Sequence, residues 1–507
     1  MTRRATIGGL LLLAAAVVLV AVARWSTAVS DQLLCGSVAL GAFCAGLLAL
    51  MSAVAGYDGL GLRTWRIGPW SLAYGAVAFG LATISWIGPQ TGTAAQILPA
   101  SVLRALWLIA VAMALLAIGY CVAPRLARSL GSRVSIALAD RFTDDIRGPG
   151  VPWILFGAGI AGQLGLAVTS GHYGYVGLGA TPRTVVAGYS QFLALLGECM
   201  PLAVAAAAMR ACRTRLPSAR ATVAVLFACA VVTGALAGGK LSFIVVVLAV
   251  AIPRSMMRGR FPAGLLVVAV AFFLLAVIPF NQAYRAVARG QVMLSTQQAV
   301  AAGPAIADQV LVDDFSPSVL WQSAGYLAQR VRTIDSPAII MQRTPGQIPY
   351  IDPGQLAVSP FIDLIPRILW PGKPVLSVGY QMSQEYYQLP PAVFTSSDIT
   401  PEGDLYRHGG WVVLIAGMFL LGCGARVLDE VADLRRSMHG AFLVILLFPG
   451  IVQAGDDYAT LLAAIPGLAL LWYGAVALSF RRRAAQPAAG EPAQSPRARS
   501  RSLSSPG

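Results

Sequence analysis

Residues 7–23 read IGGLLLLAAAVVLVAVA, a run of seventeen positions without a charged side chain. A helix of about 17 to 25 apolar residues can cross the ~30 Å hydrocarbon core of a bilayer. Comparable runs recur along the chain, whose 507 residues are 57% hydrophobic and only 12% charged, with a mean hydropathy of +0.70. This apolar content exceeds what a soluble core needs and indicates a polytopic membrane protein.

Ten apolar runs are long enough to span a membrane as helices. They lie near residues 7–23, 33–55, 70–88, 103–123, 151–170, 184–209, 221–238, 261–280, 410–425 and 459–480. Two further runs, near 241–253 and 440–454, are shorter, and we expect tilted, shortened or re-entrant helices there. Counted together, the runs predict an all-α polytopic protein with about twelve transmembrane helices.

Arginines mark one side of the predicted membrane. They precede the first span and follow every even-numbered span, at positions 3–4, 63–66, 125–147, 210–220, 254–260, 426–436 and 481–483. Because short cytoplasmic loops retain positive charge, this pattern predicts that both termini are cytoplasmic. The net charge of +15 therefore reflects topology, and we expect no nucleic-acid partner. Arg3, Arg4 and the run after them imitate a secretory signal peptide, but we expect the first span to stay uncleaved.

The chain is predicted to have four parts. Residues 1–280 form a transmembrane bundle of spans 1 to 9, residues 281–408 form an external loop segment with amphipathic and interfacial helices, and residues 409–480 complete the bundle with spans 10 to 12. Residues 481–507, rich in Arg, Pro, Ala and Ser, predict a disordered basic cytoplasmic tail. The seven cysteines lie in or beside apolar runs without a CxxC pair, which disfavours a disulfide framework or a cysteine metal site.

Two stretches of the external segment have contrasting patterns. SVLWQSAGYLAQRVRTI at 318–334 places apolar residues at helical spacing and predicts an amphipathic helix on the membrane or over the bundle. PFIDLIPRILWPGKP at 360–374 contains four prolines, which forbid a long helix. Its apolar side chains would enter the membrane interface and hold Arg367 and Lys373 near lipid headgroups, where both suit a phosphate.

Residues 399–410 read ITPEGDLYRHGG and gather two acids, an arginine and a histidine directly before an apolar run. His408 is one of only three histidines in the chain, and a neutral imidazole at working pH is a candidate general base. Glu402 or Asp404 could serve instead, or they could orient His408 or pair with Arg407. A purely structural or interfacial role for the histidine is the alternative.

Four stretches of the second half of the chain resemble one family of membrane proteins. They are AGGK at 237–240, VIPFNQAYR at 277–285, DLIPRILWPGKP at 363–374 and TSSDITPEGDLYRHGGWVVLIAGMFLLG at 395–422. Together with the number of predicted spans, they are similar to the O-antigen-polymerase-like, or oligosaccharide repeat unit polymerase, proteins of bacterial envelopes. That family often has Arg before the short helix, whereas this chain has Lys240.

The resemblance implies a glycosyltransferase of polysaccharide biosynthesis that acts on the outer face of the plasma membrane. In such proteins a glycan on a polyprenyl diphosphate, such as undecaprenyl diphosphate, is transferred to a sugar hydroxyl of another lipid-linked unit. The reaction uses no nucleotide sugar, metal or other cofactor, and external arginines are thought to hold the diphosphate. The implied partners are the polyprenyl-diphosphate-linked oligosaccharide, membrane lipids and other polysaccharide-assembly proteins.

Breaking a glycosyl diphosphate bond requires stabilisation of the charge on the departing diphosphate and removal of a proton from the attacking hydroxyl. The candidate cations, at predicted outer ends of helices or in the interfacial loop, are Lys240, Arg285, Arg367 and Arg407. The candidate proton acceptors are His408, Glu402 and Asp404. We expect these groups to converge on one headgroup.

Two further residues are candidates for the acceptor or lipid path. Glu198 lies inside the sixth predicted span, where a carboxylate usually faces a polar cavity or a partner. A protonated Glu198, or one hydrogen-bonded to Gln163, is the structural alternative. His172 lies in the short external loop SGHYGYVGLG at 170–179, which suits either sugar stacking or an interfacial aromatic belt.

Other functions remain open at this point. A flippase or transporter of lipid-linked oligosaccharides fits twelve spans, but the large external segment and the few ionisable residues within spans argue against it. The residues do not distinguish a polymerase from a ligase that uses another acceptor. Transferases that use polyprenyl-monophosphate sugars commonly have an acidic pair in the first external loop, where this chain offers only Asp31. A scaffold of a polysaccharide-assembly complex would need none of this chemistry.

Overall fold

The structure is a computed structural model that describes residues 2–55, 65–170, 189–237, 240–289, 301, 304, 306, 308, 317–365, 369–370, 373, 378–390, 396–453 and 457–483. Within these residues the apolar runs form helices. A helix satisfies its own backbone N–H and C=O groups, which hydrocarbon cannot do.

The α-helices are α1 (Thr2–Trp25), α2 (Val29–Ala55), α3 (Ile67–Gly75), α4 (Pro99–Val122), α5 (Arg125–Arg141), α6 (Val151–Ser170), α7 (Ser190–Gly197), α8 (Cys199–Thr214), α9 (Pro217–Leu236), α10 (Lys240–Arg258), α11 (Ala263–Phe272), α12 (Ile278–Arg289), α13 (Pro317–Val331), α14 (Asp335–Arg343), α15 (Gly354–Leu364), α16 (Val378–Gln381), α17 (Pro401–Arg407), α18 (Gly410–Val431), α19 (His439–Gln453) and α20 (Tyr458–Ser479). Short π-helical or 3₁₀ segments occupy Ala76–Gly80, Leu81–Ile87, Gly92–Gln96, Phe273–Val277 and Met382–Tyr386.

All twelve predicted apolar runs contain helix. Within the described ranges, eleven helical stretches are long and apolar enough to cross a membrane. The run predicted near 241–253 belongs to α10, whose candidate span Leu241–Arg258 has 18 residues and is therefore not shortened. The run near 440–454 forms α19, and its apolar part, His439–Gly450, is shorter than a span. The chain is a predominantly α-helical, multi-pass membrane protein, as the composition predicts.

Many large apolar side chains on these helices are exposed. Examples on the candidate spans are Val17, Val168, Val268, Val412 and Leu470. In a soluble protein such surfaces would cause aggregation, whereas in a bilayer they contact lipid. The outward-facing side chains therefore agree with the membrane assignment.

Two glycines allow α4 and α18 to cross closely. A Cβ at Gly119 would collide with the backbone carbonyl of Phe419, and a Cβ at Gly422 would collide with that of Leu116. Small residues at a crossing let the backbones of membrane helices approach each other. The crossing fixes α18, which follows the sequence cluster at 399–410.

Asp429 fixes the other end of α18. Its carboxylate accepts hydrogen bonds from the backbone N–H groups of Ile67 at 2.7 Å and Gly68 at 3.2 Å, and from the Tyr120 hydroxyl at 2.8 Å. A buried carboxylate with three donors joins α3, α4 and α18. The helix that begins at the cluster is thus held at its middle and at its far end.

One hydrophobic core joins the short helices of the segment 281–408 to the candidate spans. It joins apolar side chains of α2 and α4 to those of α14, α17 and α18, among them Ile109, Ile340, Leu405 and Met418, and it also contains Tyr386. Burial of shared apolar surface holds the short helices α14 and α17 against the longer ones.

The external segment has the helix that its sequence predicts at 318–334, since α13 covers Pro317–Val331. In the proline-rich stretch, α15 ends at Leu364, and the apolar side chains of Phe361 and Leu369 are exposed as expected. Lys373 differs from the expectation. It is buried and donates a hydrogen bond to the Ile365 carbonyl at 3.2 Å, so it does not project toward headgroups.

Two predicted boundaries shift by a few residues. The candidate span Ala263–Tyr284 extends past the boundary predicted at 280. Strand β2 (Phe480–Arg482) pairs antiparallel with β1 (Phe142–Ile146), so the first residues of the predicted tail are ordered. Residues 484–507 lie outside the described residues.

Candidate functional site

The cluster at 399–410 forms a short buried helix. Helix α17 begins after Thr400, whose side-chain oxygen accepts a hydrogen bond from the Gly403 N–H at 3.3 Å. Pro401 is the first residue of the helix. Proline is tolerated there because the N–H of the first helical position has no intrahelical partner. Glu402 and Asp404 lie in the first turn and Arg407 in the last, an order that complements the helix dipole. Local sequence thus explains why a helix forms here.

A two-glycine turn connects α17 to α18. Gly410 has φ of +64°, in the left-handed region, and a Cβ there would lie 2.9 Å from the Tyr350 hydroxyl. The Arg407 carbonyl accepts a hydrogen bond from the Ile351 N–H at 2.9 Å. Because only glycine adopts this conformation readily, the turn holds the cluster directly at the start of the candidate span Gly410–Val431.

Asp404 is the centre of the cluster. Its Oδ1 accepts a hydrogen bond from Arg407 Nε at 2.7 Å, and its Oδ2 accepts one from the backbone N–H of Tyr458 at 2.9 Å. The side chain of Asp404 is 1% exposed and that of Arg407 is 4% exposed. Tyr458 is the first residue of α20, so this one carboxylate joins the ends of two candidate spans. A buried carboxylate is stable only when paired and hydrogen-bonded in this way.

The charge state of Asp404 follows from its partners. Burial alone would raise the pKa of its carboxyl, but the hydrogen bond and charge of His408 and the charge and hydrogen bond of Arg407 outweigh burial and lower that pKa below its ordinary value. Asp404 is therefore ionised at neutral pH. An ionised carboxylate here does not accept a proton readily, which favours a positioning role over that of general base.

His408 is held by the backbone of the same helix. Its Nδ1 lies 2.8 Å from the Asp404 carbonyl oxygen and 3.4 Å from Asp404 Oδ1. Since a carbonyl oxygen can only accept, Nδ1 carries the proton and Nε2 of the neutral ring is the acceptor. No described residue forms a hydrogen bond with Nε2. His408 is 5% exposed, and Nε2 is the ring nitrogen that remains for a further hydrogen bond.

Glu402 is separate from the other three residues. Positions 402 and 404 point about 200° apart around a helix, and Glu402 lines an internal cavity of about 120 Å³ with Ser71, Tyr74 and Tyr458. Its Oε2 is buried without a hydrogen-bond partner. Burial raises the pKa of Glu402 to about 7, despite hydrogen bonds with its own backbone and Thr400 that lower it. The structure does not bring Glu402 to the face that carries His408.

Arg407 retains unused donors beside a buried tyrosine. A guanidinium has five N–H groups, and Arg407 uses only its Nε in a described hydrogen bond, while its Nη1 is buried without a partner. Burial raises the pKa of Tyr386, and the positive charge of Arg407 is among the influences that lower it. The Tyr386 hydroxyl lies 2.9 Å from Thr344 Oγ1. Thr344 directly follows α14, so this contact joins Tyr386 to the end of that helix.

Helix α14 is anchored by contacts among Arg332, Asp335 and Trp86, which the sequence analysis did not predict. Arg332 forms an ion pair with Asp335 at 2.8 Å, and its guanidinium lies 5.1 Å from the centre of the Trp86 ring. The indole N–H of Trp86 donates to Asp335 Oδ1 at 2.8 Å. Trp86 and Asp335 are 249 positions apart in the chain, so no local sequence pattern could reveal their contact. The anchor holds the start of α14 on the end of the 3₁₀ segment Leu81–Ile87.

An open apolar groove lies next to the cluster. It has a volume of about 660 Å³ and is lined by α15, α18 and α20. Leu405 of α17 and Tyr458 of α20 belong to its wall, and Tyr458 is the residue whose N–H binds Asp404. The groove can hold a hydrocarbon chain whose polar end reaches the cluster.

The remaining predicted site residues are not joined to the cluster by a described contact. Lys240 begins α10 and Arg285 lies in α12, but the structure describes only the backbone of both. Arg367 and His172 lie outside the described residues. Glu198 lies at the break between α7 and α8, and its side chain is exposed.

The arrangement can perform two chemical tasks at one place. Arg407 presents a fixed positive charge, and His408 presents a ring nitrogen that accepts protons. Asp404 holds both through its side chain and backbone. A cation and a base at a membrane edge suit a reaction that releases an anion and removes a proton.

A family model described as "Domain of unknown function (DUF8712)" matches residues 177–461, which is more than half of the chain. The matched range contains every predicted site residue except His172. No curated protein and no solved structure matches the chain.

Proposed function

We propose that this chain, which belongs to the family described as domain of unknown function DUF8712, is a membrane glycosyltransferase. It polymerises oligosaccharide repeat units carried on a polyprenyl diphosphate. The observation that carries the proposal is the buried Asp404, whose Oδ1 lies 2.7 Å from Arg407 Nε and 3.4 Å from His408 Nδ1. The resemblance to O-antigen-polymerase-like proteins supports the same reaction.

In the proposed reaction, a sugar hydroxyl of the acceptor unit attacks the anomeric carbon of the donor glycan. His408 accepts the hydroxyl proton at Nε2 as the new C–O bond forms. The bond to the diphosphate breaks, and the departing polyprenyl diphosphate keeps the electron pair. Arg407 stabilises its growing negative charge through the Nη donors. The proton on His408 then returns to solvent.

Asp404 acts as a positioning residue in this reaction. The imidazolium that forms on His408 lies 3.4 Å from Asp404 Oδ1, so the carboxylate stabilises the positive charge of the ring. The same carboxylate fixes the Arg407 side chain. Glu402 has no role in proton transfer in this proposal because it faces a different cavity.

The apolar groove beside α17 supports a lipid-linked donor. Its walls belong to helices with exposed apolar side chains, and its lining includes Leu405 and Tyr458, which adjoin the charged cluster. Part of a polyprenyl chain would lie in the groove while the diphosphate approaches Arg407. This placement would let a substrate enter from the bilayer without passing through water.

The proposed topology has twelve transmembrane helices, with α19 counted as a short one, and both termini in the cytoplasm. The external segment 281–408 and the cluster then lie on the outer face of the plasma membrane. The charge pattern of the loops supports this orientation. Arg330→Cys and Arg213→Cys, each introduced singly, test this orientation by labelling with a membrane-impermeant thiol reagent. Only the cysteine at position 330 should react in intact cells.

The first experiment deletes the gene and analyses lipid-linked glycans together with surface polysaccharide. Single repeat units on polyprenyl diphosphate, without long chains outside the cell, are the expected result. Normal polymer with a changed attachment point would instead indicate a ligase. Lipid-linked units confined to the cytoplasmic face would indicate a flippase and would overturn the catalytic assignments.

The second experiment complements the deletion with Arg407→Lys. Lysine keeps the charge beside Asp404 but loses the forked donors, so we expect loss of polymer at normal protein abundance. Arg330→Lys is the matched control, because Arg330 is an exposed arginine in the last turn of the external helix α13. Full polymer length with Arg407→Lys would remove Arg407 from the proposed site.

A further inference from the structure

A second apolar groove lies between α1, α2 and α4, and none of the described residues that line it belongs to α17, α18 or α20. It has a volume of about 660 Å³, and we call it the N-terminal groove. Small residues account for the space: Ala16 and Ala23 of α1, Gly36 and Ala39 of α2, and Ala110 and Ala114 of α4. Val17, also in its wall, is 69% exposed, so the groove opens toward the hydrocarbon that surrounds the candidate spans.

The N-terminal groove has one polar end. Arg24 lies in the last turn of α1 and Gln32 in the first turn of α2, on either side of the short connection between these helices. Arg24 is the only charged residue among the described residues of the lining. The opposite end is formed by apolar residues such as Ala16 and Phe43. A ligand that fits such a groove has a polar head and an apolar body.

The N-terminal groove has the depth of one membrane leaflet. A Cβ at Gly36, one turn after Gln32, would lie 3.1 Å from Leu106 Cδ1, so the first turns of α4 lie at the polar end. From Leu103 to Ala114 the lining of α4 extends eleven residues, about 16 Å of helix. Half of the ~30 Å hydrocarbon core is about 15 Å. The groove therefore matches the acyl chains of lipids in the leaflet next to the connection between α1 and α2.

The positive charge at the polar end has no acidic partner among the described residues. Arg24 takes part in none of their ion pairs. Asp31, the acid nearest to it in the sequence, instead accepts a hydrogen bond from Ser26 Oγ at 3.1 Å. A guanidinium forms paired hydrogen bonds with phosphate oxygens, and basic pockets between membrane helices bind anionic headgroups. The polar end is thus complementary to the phosphate of a lipid.

We propose that the N-terminal groove binds one anionic phospholipid, with its acyl chains along α1 and α4 and its phosphate against Arg24. An anionic headgroup suits the groove better than a zwitterionic one, because the latter brings its own cation to the guanidinium. The bound chains would fill the space between α1 and α4 and thereby hold α1 against the bundle. This site lies outside the residues that the family model matches and does not depend on the proposed reaction.

Lipid binding can be measured as a change in the Tm of the purified full-length protein in detergent, without any glycan. The probes are dioleoyl phosphatidylglycerol and dioleoyl phosphatidylcholine, which have the same chains and differ in net charge. A ligand that binds only the folded state raises Tm as its concentration increases. We expect a larger rise with phosphatidylglycerol. Equal rises would overturn the contact with Arg24, and no rise with either lipid would overturn the site.

Arg24→Gln tests the headgroup contact. Because Arg24 is exposed and forms none of the described ion pairs, the lipid-free variant should keep its Tm, while the additional rise with phosphatidylglycerol should be lost. Arg330→Gln is the matched control, since it removes the same charge from an exposed arginine of α13 and should keep the full difference. The net charge of +15 attracts anionic lipid to the whole protein, so only this comparison assigns the effect to the groove. A preserved difference in Arg24→Gln would show that the headgroup binds elsewhere and would overturn the proposal.

Val17→Trp tests the acyl-chain contact. Val17 lines the groove and Val18 does not, although the two residues are 69% and 60% exposed. An indole at position 17 would occupy the groove, so the rise in Tm with both lipids should be reduced, whereas Val18→Trp should leave both rises unchanged. Equal effects of the two variants would overturn the groove as the binding site. Undecaprenyl phosphate is the third probe: a larger rise than with phosphatidylglycerol, lost in Val17→Trp, would assign the groove to an isoprenoid carrier and overturn the phospholipid.

Discussion

Nδ1 of His408 lies 2.8 Å from the backbone carbonyl oxygen of Asp404, one helical turn earlier in the chain. The ring is therefore oriented by the main chain of α17, while the Asp404 side chain is free to hold Arg407 and the end of α20. This division separates the roles of the two residues. Changes to the imidazole should affect chemistry alone, whereas changes to the carboxylate should affect stability and, through Arg407 and His408, chemistry as well.

Replacement of His408 by glutamine should reduce polymer formation at least 100-fold, the lower end of the range for loss of a general base. The Asp404–Arg407 ion pair remains, so the amount of protein in the membrane should be normal. Polymer length and protein abundance are measured in the complemented deletion strain. His439→Gln is the contrasting variant, because His439 is buried against Phe480 far from the cluster in sequence. It should lower abundance and not activity per molecule.

Asp404→Asn should reduce the free energy of unfolding at pH 7 by roughly 3–5 kcal/mol, because it leaves the buried Arg407 without its anion. The pKa of Asp404 is lowered in the folded protein, so its contribution is present above the ordinary pKa of the carboxyl and is lost as the pH falls below it. Unfolding in detergent at pH 7 and at a pH well below 3.8, where the carboxyl becomes protonated in the folded state as well, checks this. A difference between variant and wild type that does not shrink in acid would contradict the ion pair.

Glu402 should give the free energy of unfolding a pH dependence opposite to that from Asp404, and Glu402→Gln tests this. The pKa of Glu402 is raised from 4.5 to about 7, so between these values the folded protein keeps a proton that the unfolded chain loses. Wild-type stability should therefore fall as the pH rises through this window, by up to roughly 3 kcal/mol. Glutamine imitates the neutral acid and should remove this fall. Parallel curves for both proteins would show that Glu402 is hydrated and not buried.

Gly410→Ala should destabilise the protein by about 1–2 kcal/mol or more, because its φ of +64° disfavours an L side chain and a Cβ would crowd the Tyr350 hydroxyl. Gly424→Ala is the matched control in the same helix. A Cβ there meets nothing within 4 Å, and alanine favours a helix by roughly 0.5–1 kcal/mol. Thermal unfolding of the two variants should shift in opposite directions. Equal shifts would mean that the turn adopts another conformation.

Several features of this protein are determined by sequence alone, because their causes are local. The apolar run at 7–23 must form a helix in hydrocarbon, and the same holds for the other runs. Thr400, Pro401 and the acids of the first turn start α17 wherever that segment lies. The i to i+3 spacing of Asp404 and Arg407 already permits their ion pair.

Other features are decided only by tertiary structure, because they depend on contacts between distant segments. The Tyr458 N–H reaches Asp404 across 54 positions, and the anchor of α14 joins Trp86 to Asp335. Helix geometry puts Glu402 and Asp404 on different faces of α17, but only the packing of α17 between its neighbours places the face of Glu402 against an internal cavity. The sequence thus determines which residue types each segment carries. Contacts between the ends of separate helices decide which of these residues lie together in the site.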